Sequence, residues 1–198
     1  MPRTPEADFP ALSARIPDAE VRALFTFPFL RVSEVFDELV DAASAEILRR
    51  AGAWPVAPGT DPASLVSSRG WAARSLPLLA FVHRKLAAAG HLERRGGLYF
   101  AGGTEPGDLA ALEAELAAAE PDAAVAGEAV RILVEEAGLF LSGERTGEEI
   151  LFRPDRLPLW FRYFSNRNLL YGVNNVLGAL ALSRVLPEAG GRVLEIGG

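Results

Sequence analysis

The sequence predicts a mainly α-helical chain that leaves its last helix to enter one strand of an α/β core, and three observations carry this. Apolar residues recur at amphipathic-helix spacing over most of 33–186. One hairpin signal, with strand-like flanks around Gly96-Gly97, interrupts them. The closing residues GGRVLEIGG set an apolar run of strand length between two pairs of glycines. The chain has 198 residues, 49% hydrophobic and 23% charged, and no cysteine. That is enough to bury a real core, and it excludes disordered, collagen-like and disulfide-stapled classes.

Residues 1–31 are punctuated by proline, and Phe25, Phe27, Phe29 and Leu30 form a cluster too apolar for a solvated loop. This cluster is expected to dock on the chain's own core or on a second copy. Ser33 is expected to cap a helix running to about Arg50, with Val35, Leu39, Ala43 and Ile47 on its apolar face and Gly52 ending it. The width of that face suits a bundle core or a homodimer seam. Residues 53–62 form a loop, and Asp61 caps a short helix through Arg69. Ser75, with Pro77 in the first turn, opens another helix that Gly90 closes. Leu92-Glu93 and Leu98-Tyr99-Phe100 then flank Arg94-Arg95-Gly96-Gly97, whose glycines supply the positive φ of a tight hairpin turn. Helix, helix, hairpin is the order of a winged helix.

After the loop AGGTEPG, Asp108 caps an Ala-rich helix to about Glu120. Pro121 and Asp122 start the next, which Gly138 is expected to end. The phrase LFLSGERTGEEILF reads as two short apolar pieces around a glycine-bounded turn. Residues 158–186 are the most apolar stretch and read as a helix ended by Pro187, after which Arg192 to Ile196 enters the strand.

The net charge of −6 argues against nucleic acid as the main partner. Between Arg69 and Arg95, however, Arg69, Arg74, Arg84, Lys85, Arg94 and Arg95 face only Glu93. That local excess admits phosphate contacts, an acidic carrier protein, or simple solvation. No apolar run reaches 18 residues and the N-terminus has no apolar leader, so no membrane span is expected and the location is expected to be cytoplasmic. Without cysteine there is no thiolate chemistry. The two histidines, His83 and His91, lack a third ligand at helical spacing, so no metal site is expected and both read as structural. Glu135-Glu136 and Glu148-Glu149 are adjacent helix positions that point apart, and read as solvated.

The C-terminal string is the most specific signal. A helix, a Pro/Gly turn and then V-L-E-I-G-G places Glu195 at a strand end and Gly197 and Gly198 where a missing Cβ leaves room for a ligand. It resembles motif I of class I S-adenosylmethionine-dependent methyltransferases, of the form L-E-x-G-x-G-x-G. Leu194, Glu195 and Gly197 match, Gly198 fills the variable place, and the motif's last two glycines lie beyond the sequence. Upstream, the phrase from Leu141-Ser-Gly143 to Leu151-Phe152 precedes a helix carrying Tyr163, Phe164, Leu170-Tyr171 and Asn174-Asn175. That series resembles the region before motif I in methyltransferase domains of polyketide and nonribosomal peptide synthases, over about residues 138–198.

The resemblance implies a helical N-terminal domain over 1–137, with a winged-helix-like hairpin, acting as a lid or dimerisation unit. It implies connecting helices and the start of a truncated Rossmann-like methyltransferase core over 138–198. The cofactor would be S-adenosylmethionine, with Glu195, Gly197 and Gly198 at its site together with Tyr171 and Asn175. Tyr163 and Asn168 would lie on the lid or substrate side. The same aromatic residues equally suit plain packing, and the asparagines suit local capping. The activity implied is methyl transfer to an acyl group on a carrier protein, or to a small molecule, in natural-product biosynthesis. The catalytic base is not identified. On this reading the 198 residues alone neither bind the cofactor tightly nor turn over. A methyltransferase remnant serving as a structural adaptor in a synthase, and a winged-helix DNA-binding regulator reading bases through residues 76–89, are the alternatives.

Overall fold

The structure, a computed structural model, describes residues 3–186. Two short helices, α1 (Phe9–Ser13) and α2 (Ala19–Leu24), lead into α3 (Phe27–Arg50), the longest element. Ser33 is not its cap. The Thr26 hydroxyl accepts from the Phe29 N–H at 3.3 Å, and Pro28 sits in the first turn, where its missing N–H costs no bond. The phenylalanine cluster is therefore wound into the helix start. Phe25 packs edge-on against Phe29 and Phe27 against Phe9, with ring centroids 5.5 and 5.9 Å apart.

Buried residues lie on more than one side of α3, as expected of a helix surrounded by others. Ala45 and Leu48 join one cluster with Val66, Leu79, Val82 and Tyr99. Val35 and Leu39 join a second with Leu112 and Leu116, and Ala43 and Ile47 a third with Val134 and Ala137.

Helix α4 (Pro62–Arg69) is capped by Asp61, which accepts from the Ser64 N–H at 2.9 Å, as the sequence predicts. Helix α5 (Leu76–Ala88) starts after Ser75, but that hydroxyl donates backward to the Ala72 carbonyl at 2.7 Å and does not cap. The hairpin is present. β1 (Leu92–Arg95) pairs antiparallel with β2 (Leu98–Ala101), and Gly96 and Gly97 take φ of +57° and +88°, which both central residues of such a turn need. Thr60 adds a backbone bridge to Tyr99.

Asp108 caps α6 (Leu109–Ala119) through the Ala111 N–H at 2.8 Å. Helix α7 (Ala124–Ser142) then runs through Gly138, which does not end it. A glycine inside a helix costs only about 1 kcal/mol against alanine, and the buried series Val134, Ala137, Leu141 continues across it. The helix ends at Gly143, in the left-handed conformation at φ +85°. Residues 137 and 138, between which the sequence reading divides the chain, thus share one unbroken helix.

The glycine-bounded turn leads into α8 (Gly147–Leu151), opened by a reciprocal capping box between Thr146 and Glu149. The single helix expected over 158–186 is two, α9 (Leu157–Tyr163) and α10 (Leu169–Val185). Ser165, Asn166 and Asn168 lie in the break, where their short polar side chains compete for backbone bonds. No helix among the described residues is long and apolar enough to cross a membrane.

Candidate functional site

Four of the predicted site residues, Tyr163, Asn168, Tyr171 and Asn175, come together at the corner between α9 and α10. Asn168 is buried at the break, and its amide donates to the Tyr163 carbonyl at 2.8 Å. Its backbone carbonyl accepts from the Tyr171 and Gly172 N–H groups at 3.0 and 2.7 Å. The side chain thus ties off the end of α9 while the backbone starts α10. The amide oxygen Oδ1 is buried without a partner among the described residues, an unusual state for a buried acceptor.

Asn175 lies on the exposed side of α10 and donates to Asn166 Oδ1 at 2.6 Å. Asn174, also exposed, bonds back to the Leu170 carbonyl at 3.2 Å. Neither amide is buried, so neither depends on an internal partner. Gly172 lets α10 approach the break closely, because a Cβ there would stand 2.6 Å from the Asn166 carbonyl oxygen. Asn166 and Gly172 are the residues the sequence reading missed. The phrase N-R-N ahead of Y-G-V-N-N was the available signal for both.

The aromatic residues make one cluster of edge-on and tilted rings across the corner. Tyr163 lies 6.0 Å from Tyr171 and 5.5 Å from Trp160, and Phe164 lies 5.1 Å from Tyr171, between ring centroids. Burial, and secondarily the neighbouring Tyr171, push the Tyr163 phenol above its ordinary value, so it stays a neutral hydroxyl. Trp160 is anchored by its indole N–H on the Leu151 carbonyl at 2.6 Å. Phenols and amides can orient and enclose a ligand. Neither supplies a base at neutral pH.

The corner is braced from α7. Glu136 accepts from Arg145 at 3.0 Å and from Arg156, which also donates to the Ile150 carbonyl. Partial burial pushes the Glu136 carboxyl up, but the two guanidinium groups outweigh it and hold the group below its ordinary range. This corrects the expectation that Glu136 is solvated. Adjacent positions do point apart, so Glu135 remains exposed while Glu136 faces the α8–α9 segment. Glu149 is engaged in the capping box, and Glu148 is exposed.

The basic segment is largely committed within the chain. Lys85 pairs with Asp37 and Asp41, Arg95 with Glu93, and Arg69 and Arg74 bind backbone carbonyls. Arg94 lies over the Tyr99 ring at 6.0 Å. Arg84 is exposed on α5. His83 is fully buried, with Nδ1–H donating to the Leu79 carbonyl at 2.8 Å and the ring 5.0 Å from Tyr99. His91 meets the Thr104 hydroxyl at 3.0 Å. Among the described residues no three His, Cys, Asp or Glu side chains could hold a metal ion. Glu195, Gly197 and Gly198 lie outside the described residues.

No protein-family model matches the sequence, and no curated protein matches it. Two solved structures do match. The crystal structure of the selenomethionine-substituted CurJ carbon methyltransferase superposes with a TM-score of 0.63 at 18% identity, over 90% of this chain and 50% of that one. That of the DszA carbon methyltransferase superposes with a TM-score of 0.59 at 21% identity, over 95% of this chain and 49% of that one. The chain therefore shares the fold of about one half of each of these carbon methyltransferases, and spans about half their length.

Proposed function

We propose that this chain is the helical cap portion of an S-adenosylmethionine-dependent carbon methyltransferase that acts on an acyl group held by a carrier protein in natural-product assembly. One observation carries the reading. A chain whose residues 138–198 resemble the approach to motif I has the fold of half of two carbon methyltransferases, over nearly its whole length. Its Tyr and Asn candidates meet at the corner between α9 and α10, and α10 is the helix that precedes VLEIGG in the sequence.

The donor set at the corner fits the rim of a cofactor site. Asn175 presents an exposed amide, Tyr171 a half-buried phenol, and Asn168 a buried oxygen with no partner among the described residues. Tyr171 and Asn175 would hold the cofactor from the cap side, with Glu195, Gly197 and Gly198 forming the strand-end side. When bound, S-adenosylmethionine supplies an electrophilic methyl group on a sulfonium. Tyr163 and Asn168 fix the geometry of the corner, so the contribution of these residues is positioning and exclusion of water. Phe161, Phe164, Val176, Leu182 and Val185 are exposed apolar side chains on or beside α9 and α10. They suit a surface covered by a cofactor-binding half.

The test is methyl transfer by the full-length gene product, from methyl-labelled S-adenosylmethionine to a β-ketoacyl thioester on a carrier protein. Label is expected on the acyl chain, and Tyr171→Phe and Asn175→Ala are expected to lower kcat/KM at least about tenfold, the loss of one or two positioned hydrogen bonds. A full-length protein that transfers no label overturns the reading and favours a non-catalytic adaptor.

A further inference from the structure

We propose that the cleft between α3, α5 and α7 is a binding site for a single apolar, chain-like molecule. The cleft has a volume of about 450 Å³. Val40, Ala43 and Ile47 of α3 form its floor, Leu78 and Phe81 of α5 one wall, and Leu133 and Ala137 of α7 the other. Trp160 and Tyr163 of α9 also line it. Among the described residues, no charged side chain lines the cleft, and Ser44 and Tyr163 alone bring hydroxyls to it. Water needs two to four polar partners to stay in such a space, so the cleft suits an apolar occupant.

The walls are held apart by the fold. The Ala72 N–H donates to the Leu141 carbonyl at 2.8 Å, and Arg74 donates to the Gly143 and Arg145 carbonyls at 2.5 and 3.1 Å. These bonds pin the start of α5 to the end of α7. The Glu136–Arg156 pair fixes α7 to the α8–α9 segment. Collapse would break these ties, whereas filling the space preserves them.

Dimensions choose the occupant. From Phe36 to Ile47 the floor runs about 16 Å at the helical rise, and 450 Å³ open to the centre of a water molecule over that length gives a width of about 9 Å between the walls once a water radius is added on each side. A helix with its side chains is about 10–12 Å across, so a helix from a partner or a second copy does not enter the cleft. The exposed apolar rim among the lining residues is Phe81 and Leu133, much less than the roughly 800 Å² each partner gives to a stable dimer. A single hydrocarbon chain fits.

The test titrates the protein with n-alkanols from butanol to dodecanol, read by calorimetry and by the fluorescence of the lining Trp160. One alcohol per chain is expected, with affinity rising about fourfold per methylene until the cleft is full and level thereafter. Ala137→Phe should cut off the series at shorter chains. Leu133→Asp, at the exposed rim where folding is safe, should weaken binding about tenfold. Leu98→Asp, an exposed apolar position outside the cleft, should leave binding unchanged. Absence of saturable binding, or an equal loss with Leu98→Asp, overturns the proposal. The inference rests on the cleft alone, so its failure leaves the methyltransferase reading standing.

Discussion

Gly172 and Gly178 lie on the same helix, α10, in opposite surroundings. A Cβ at Gly172 would meet the Asn166 carbonyl oxygen at 2.6 Å, its carbon at 3.2 Å and its Cα at 3.3 Å, whereas one at Gly178 would meet nothing within 4 Å. Alanine in place of glycine in a helix gains up to about 1 kcal/mol. At Gly178 that gain stands alone. At Gly172 it is opposed by overpacking against backbone, about 1–3 kcal/mol, because a carbonyl cannot swing aside as a long side chain can. Gly178→Ala is therefore expected to stabilise by about 0.5–1 kcal/mol and Gly172→Ala to destabilise by about 1 kcal/mol. At roughly 2–4 °C per kcal/mol for a chain of this size, the two Tm values should differ by about 5 °C. Thermal and urea unfolding followed by far-ultraviolet circular dichroism reads both. Equal stabilisation by the two substitutions would refute the close approach that aligns Asn166 with Asn175.

Two further expectations concern the helical body. Burial holds His83 below the ordinary imidazole value, outweighing its Leu79 bond, so the unfolded chain binds more protons there than the folded one. That contribution to stability is complete above pH about 6.5 and is lost as pH falls towards the lower folded value. The urea midpoint should drop between pH about 7.5 and 5.5, and His83→Phe should flatten that drop; an unchanged slope would count against the buried neutral ring. Thr26→Ala should cost about 1 kcal/mol through the lost α3 cap while Ser33→Ala, inside the helix, should cost almost nothing. Urea midpoints in the reverse order would restore Ser33 as the helix start.

Local chemistry explains what was legible in the sequence. Asp61 and Asp108 cap helices where they stand, and Gly96-Gly97 turns the hairpin, because each of those devices is complete within four residues. The misplaced boundaries depended on context. Gly138 could have ended a helix, but the burial of Val134, Ala137 and Leu141 along α7 overrides one glycine. Ser33 is a good cap residue lying about two turns too late, after Thr26-Phe27-Pro28 has already opened the helix. At the site, Tyr163, Asn168, Tyr171 and Asn175 were nameable from their phrase, and their meeting at one corner depends on the break at 164–168. Glu136 was read as solvated because Arg145 and Arg156 are distant in sequence. Only the turn into α8 and α9 brings both to it.

In the proposed reading the cap supplies one side of a cofactor site whose other side lies in a methyltransferase core. Calorimetry with S-adenosylmethionine, on the 198-residue chain and on the full-length gene product, distinguishes the two sides. Saturable binding is expected for the full-length protein and no micromolar binding for the 198 residues alone. Micromolar binding by the 198-residue chain, or none by the full-length protein, would contradict that reading.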